Sequence, residues 1–202
     1  METTDIKGYL GFDLSTKAID LAVISAEGPY EILMIARCPL HEEPTNVAKT
    51  QLAGIAVSQI VETAEQITGA SMIGAAIEAP RGYGGPLLPI VGAVTGSLDV
   101  PAEWYAPSTW RKILRQYCEA NDFIIPEDLR PQSKEGAKWM TSTIMGLQTE
   151  FGTERFSGDT WDAIGVALAH RIEIDQAMIN GDPITKQAST MVKDIERWLT
   201  EQ

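Results

Sequence analysis

Cysteine and histidine are scarce in this chain, long apolar runs are missing, and positive charge is outnumbered. The two cysteines, Cys38 and Cys118, stand far apart and without partners at metal-ligand spacing. They form no zinc knuckle, ask for no disulfide, and read as reduced thiols in a cytoplasmic protein. No apolar stretch approaches the roughly 20 residues that a membrane span requires. The opening METTDIKGYLGFDLS has neither a basic n-region nor the long apolar core of a signal peptide. The expectation is a cytoplasmic protein without a membrane partner.

Sixteen Lys and Arg stand against 28 Asp and Glu, a net charge of −12. Nucleic-acid binders draw most of their affinity from neutralising phosphates, so this total argues against strong non-specific binding. The cations are unevenly spread, however. Between Pro107 and Lys138 lie Arg111, Lys112, Arg115, Arg130, Lys134 and Lys138, with five acids, so this stretch carries +1 and the remainder −13. Any DNA affinity is expected to be modest and salt-sensitive.

What is present suits one α/β domain: 202 residues, 44% hydrophobic and 22% charged, enough to bury a core without staples. Apolar runs at Tyr9 to Asp13, Ile19 to Ser25 and Ile32 to Ala36, separated by short polar or Gly-Pro punctuation, predict an antiparallel three-strand meander. Helical spacing then runs from Pro44 to Gly69, with Gly69 as the stop. Ser71 to Ala79 reads as a buried strand, Gly82 to Gly85 as a glycine-rich loop and Leu87 to Leu98 as a helix. Ala102 to Tyr105 makes a short last strand. Pro107-Ser108 is expected to cap a helix through Trp110 to Tyr117, and further helices are expected over Ser133 to Phe151, Asp159 to Ile174 and Thr185 to Thr200.

Four acids stand out in this order. Asp13 ends the first strand, and Glu78 closes the strand after the long helix. Asp159 and Asp162 lie three apart at a helix start, on one face and at the positive end of the dipole. Taken singly, Asp13 also suits a plain strand end, and the two helical acids suit a plain N-terminus. Glu78 differs, because it follows the uncharged run Ser71 to Ile77, where an acid is usually paired or metal-bound. Four carboxylates in a small volume repel one another unless cations share it. Oxygen-only ligands suit Mg²⁺ or Mn²⁺ rather than Zn²⁺. Two such ions roughly 4 Å apart can activate water, hold a phosphate in line and stabilise the leaving oxygen. Such chemistry needs neither histidine nor cysteine.

The order of these pieces resembles the RuvC family of Holliday-junction resolvases, of the RNase H-like or retroviral-integrase superfamily. GFDLST (Gly11 to Thr16) is similar to that family's opening G-I-D-x-[GS]-T, with Phe12 as the exception and Leu14 where a proline is common. Ala76-Ile77-Glu78 matches its A-I-E. GAVTGSL (Gly92 to Leu98) resembles its small-residue helix, and Glu103 to Lys112, EWYAPSTWRK, its E-Y-A-P-S-x-V-K-K segment. Ser133 to Ala137 resembles a later D-K-x-x-V helix. DTWDAIGVALAH (Asp159 to His170) fits every fixed position of D-x-x-D-A-x-x-x-A-x-x-H. The likeness runs from Gly8 to about Arg171.

The resemblance implies one RNase H-like nuclease domain over residues 1–202, an α/β fold whose mixed sheet joins the meander to parallel strands between helices. The C-terminal helix 185–200 would be an appendage, its Met191, Ile195, Trp198 and Leu199 packing on the chain's own core or on a partner. The implied metal ligands are Asp13, Glu78, Asp159 and Asp162, with two Mg²⁺, replaceable by Mn²⁺, per site. Lys134 would stand near the scissile phosphate and Tyr83 at the junction core. Candidate DNA contacts are Arg81, Tyr83, Arg111, Lys112, Arg115, Lys134 and Lys138, while His170 is read as a packing or solvated residue. The implied activity is metal-dependent endonucleolytic cleavage of branched DNA by a homodimer.

Two other readings stay open. DLSTK near an N-terminal strand also resembles the phosphate-binding turn of actin-like sugar kinases, though 202 residues are few for paired lobes. The second is a non-catalytic RNase H-like module that binds a partner protein. The acidic balance suits that reading, whereas four mutually repelling acids do not.

Overall fold

The structure is a computed structural model that describes residues 6–79, 85–147 and 156–180. Five strands form a mixed sheet in the order β3-β2-β1-β4-β5. β1 (Ile6–Leu14), β2 (Ala18–Ser25) and β3 (Ile32–Pro39) are the expected meander, paired antiparallel. β4 (Ala70–Glu78) joins β1 in parallel, and β5 (Ala102–Tyr105) joins β4 in parallel. Parallel neighbours need a crossover, and α1 (Asn46–Thr68) and α2 (Leu87–Gly96) lie on the two connections.

Alternation along the strands divides the core. Leu10, Phe12 and Leu14 of β1 pack with Val57 of α1 and Ile90, Val91 and Val94 of α2. Tyr9 packs on the opposite side, with α3 (Pro107–Ala120), α4 (Lys134–Ile144) and α5 (Gly158–Asn180). β2 is buried at every position because both of its faces are covered. α5 lies between the sheet and α3 and α4, so Ala163 to Arg171 are buried on all sides. Gly11 makes the close approach feasible, since a Cβ there would overlap the Ala163 carbonyl and the Ala167 methyl.

Local chemistry explains the helix ends. Thr45 Oγ1 accepts the Ala48 N–H at 3.1 Å to start α1, and Gly69 at φ 66° ends it. α3 departs from expectation: Ala106 occupies the cap without a side-chain bond, and Pro107 fills the first turn, where no N–H is missed. Ser133 caps α4 through the Gly136 N–H at 3.0 Å, and that helix stops at Ile144 because Gly146 turns the chain at φ 63°. The expected helix 185–200 lies outside the described residues. Among those described, no helix is long and apolar enough to cross a membrane, and both cysteines are free.

Candidate metal centre

Register and helix phase bring the acids together. β1 and β4 run parallel with Phe12 opposite Ile77, so Asp13 and Glu78, one residue on, leave adjacent strands at the same sheet edge. α5 begins beneath that edge and carries Asp159 and Asp162 one turn apart. One oxygen from each of Asp13, Asp159 and Asp162 lies within 4.8 Å of the others. These three acids, Glu78, Ser15, Arg111 and Lys134 line an open pocket of about 280 Å³.

Glu78 shares the pocket but stands outside that tight group. Its Oε2 accepts the indole N–H of Trp110 at 2.9 Å. Trp110 is fully buried, and a Cβ on Gly165 of α5 would come within 2.7 Å of its ring. A small residue at that point of α5 therefore makes room for the indole that holds Glu78.

Burial and mutual repulsion act on the acids as their crowding suggests. The Asp13 carboxyl is pushed up to about 8, first by burial and then by Glu78, Asp162 and Asp159, with Lys134 opposing. Glu78 is also raised, by burial and then Asp162, against the Trp110 hydrogen bond, Arg111 and Lys134. Lys134 Nζ lies 3.2 Å from Asp159 Oδ1 and 3.1 Å from Asp162 Oδ2. Burial works downward on that ammonium, but its bonds to Asp162 and Asp159 outweigh burial and hold it above the usual lysine value. Carboxylates packed this closely, offering only oxygen donors, fit a hard divalent cation.

The remaining expected residues divide. Arg111 is not on the surface: it is 3% exposed, with Nη2 3.4 Å from Asp162 Oδ1 and Nη1 donating to the Gln132 carbonyl at 3.0 Å. The guanidinium is spent on the protein's own acid and backbone, because α3 packs directly against α5. Lys112 is exposed, whereas Arg115 is half-buried and pairs with Glu119 at 3.5 Å. The Lys138 ammonium lies 5.4 Å from the centre of the Trp161 ring. Arg81 and Tyr83 fall outside the described residues. His170 is completely buried, held well below its usual value, to about 3, by desolvation. With the Tyr105 hydroxyl donating to Glu173 at 2.7 Å, the 3.0 Å contact to His170 Nδ1 requires an Nδ1–H donor. That network braces β5 against α5 and makes His170 a packing residue.

Two contributors escaped the sequence reading. Trp110 left no signal beyond being aromatic. Asp20 did leave one, as the only charged residue on β2.

No protein-family model and no curated protein matches the chain. Solved structures do. RuvC of Thermus thermophilus is similar at 16% identity and a TM-score of 0.62, over 84% of this chain and 96% of that one. T. thermophilus RuvC in complex with a Holliday junction substrate is similar at 17% identity and a TM-score of 0.59, with the same coverage. The chain has the RuvC fold. Its mixed five-strand sheet flanked by helices is the RNase H-like architecture expected from the sequence. On this RuvC fold the acidic pocket lies at the edge where β1 and β4 end.

Proposed function

We propose that this protein is a divalent-metal-dependent nuclease that cuts branched DNA, with the Holliday junction as its preferred substrate. The observation that carries the reading is the convergence of Asp13, Asp159 and Asp162 within 4.8 Å, on a RuvC fold, in a pocket that Glu78 also lines. T. thermophilus RuvC has been solved with a Holliday junction substrate, which supports the substrate class.

Asp13, Asp159, Asp162 and Glu78 would hold two Mg²⁺ ions, or Mn²⁺ in their place. When bound, such ions supply an activated water and neutralise charge on the phosphate. The chain's own residues prepare the site for this. Trp110 fixes one oxygen of Glu78 and leaves the other for the pocket. Arg111, from behind, pairs with Asp162 at 3.4 Å and holds that carboxylate in place. Lys134, at the mouth between Asp159 and Asp162, would stand near the scissile phosphate. Lys112, Lys138, Arg115, Arg81 and Tyr83 are proposed to meet the arms of the junction. Two copies of the chain would make paired nicks, one from each site.

The test compares cleavage of a labelled four-way junction with linear duplex, fork and flap in Mg²⁺ and Mn²⁺ at low salt. Paired symmetric nicks on the junction are expected. Preferential cutting of forks or flaps would keep the nuclease and discard the resolvase. No cleavage of any substrate would favour the partner-binding module.

A further inference from the structure

β2 carries one charged residue, Asp20, and it is 2% exposed. A carboxylate removed from water needs compensating bonds, and those of Asp20 lead to the acidic pocket. Asp20 pairs with Asp13 across the β1–β2 ladder. Its Oδ1 accepts the Thr160 hydroxyl at 2.9 Å and Arg37 Nη1 at 3.3 Å. Thr160 stands in the first turn of α5, between Asp159 and Asp162. Because the Thr160 proton goes to Asp20, the 2.8 Å contact between the two hydroxyls requires Ser157 to donate to Thr160. Ser157 Oγ in turn accepts the Thr160 backbone N–H at 3.1 Å and Arg37 Nη1 at 3.2 Å. Each of these protons has an acceptor, and β2, β3 and the start of α5 are joined.

We propose that Asp20, Arg37, Ser157 and Thr160 form a positioning network that sets the first turn of α5, and so Asp159 and Asp162, against Asp13. The inference rests on the metal-site reading given above. Apolar packing along α5 holds the helix against the sheet, but it is non-directional and does not fix the angle of the first turn. The directional bonds at Thr160 do. The negative charge of Asp20 also stands at the positive end of the helix dipole, which strengthens the anchor. None of the four residues is expected to touch metal or DNA.

The experiment titrates the full chain, without DNA, with MnCl₂ by calorimetry and records melting without metal. Thr160→Val removes the hydroxyl and keeps the shape, while Thr160→Ser keeps the hydroxyl. Thr160→Val is expected to lose about tenfold or more in Mn²⁺ affinity, the scale set by residues that orient metal ligands, and Thr160→Ser to recover most of it. Asp20→Asn, which keeps the size but loses the charge facing Arg37, should shift affinity in the same direction. It serves as the measurement if Thr160→Val does not fold. Wild-type affinity in folded Thr160→Val or Asp20→Asn, even with a lowered melting temperature, would overturn the network and leave the metal site standing. No Mn²⁺ binding by the wild-type protein would overturn the metal-site reading and this inference together.

Discussion

At the scale of single residues, the acids of the pocket are not equivalent. Asp13 titrates at about 8 in the folded protein, against roughly 3.9 in an unfolded chain. Between those values the folded state holds a proton that the unfolded state has released. Stability therefore falls as pH rises from about 4 to about 8, and the difference persists above that. Asp13→Asn without divalent metal is expected to melt at least about 2 °C above wild type at pH 8, with the gap closing toward pH 4. Replacing Asp162 is expected to destabilise rather than stabilise, because its carboxylate is the counter-charge of buried Arg111. Asp162→Asn leaves that guanidinium unpaired and should cost about 3 kcal/mol in urea unfolding. Equal effects from the two variants would contradict this division. The sequence showed four acids in order and set Glu78 apart by its uncharged run, but it could not separate Asp13 from Asp162, since that difference is made by Arg111 reaching across from α3.

At the scale of elements, strands were legible because each is short, apolar and bounded by turn residues. The resulting register explains why Asp13 and Glu78 meet at one edge. Helix ends were less legible. The helix expected over Ser133 to Phe151 ends at Ile144, because Gly146 adopts a left-handed conformation that halts it. The least legible element property was the depth of α5, which is set by Gly11 on a strand far away in sequence. Gly11→Ala pushes its new methyl into the Ala163 carbonyl and Ala167. It should destabilise the fold by about 2 kcal/mol. It should also weaken Mn²⁺ binding, by moving Asp159 and Asp162 away from Asp13. A variant with a lowered melting point but unchanged Mn²⁺ affinity would show that the first turn of α5 is held independently of this contact.

At the scale of the whole molecule, a net charge of −12 surrounds a pocket of converging acids. The fold was legible in the order of motifs from Gly8 to about Arg171, and the structure reproduces that order as strands and helices of the RuvC fold. The exposure of individual cations was less legible, because Arg111 is drawn into the core while Lys112 beside it faces solvent. Burial of one and exposure of the other follow from the phase of α3, which composition cannot reveal. The central claim is that this acidic pocket is a metal-dependent nuclease centre. Its most direct test is single-turnover cleavage of a labelled four-way junction in Mg²⁺, with EDTA and Asp13→Asn controls. Cleavage by wild type, lost in EDTA and in Asp13→Asn while junction binding persists, is the expected result. Cleavage that survives either control would contradict it.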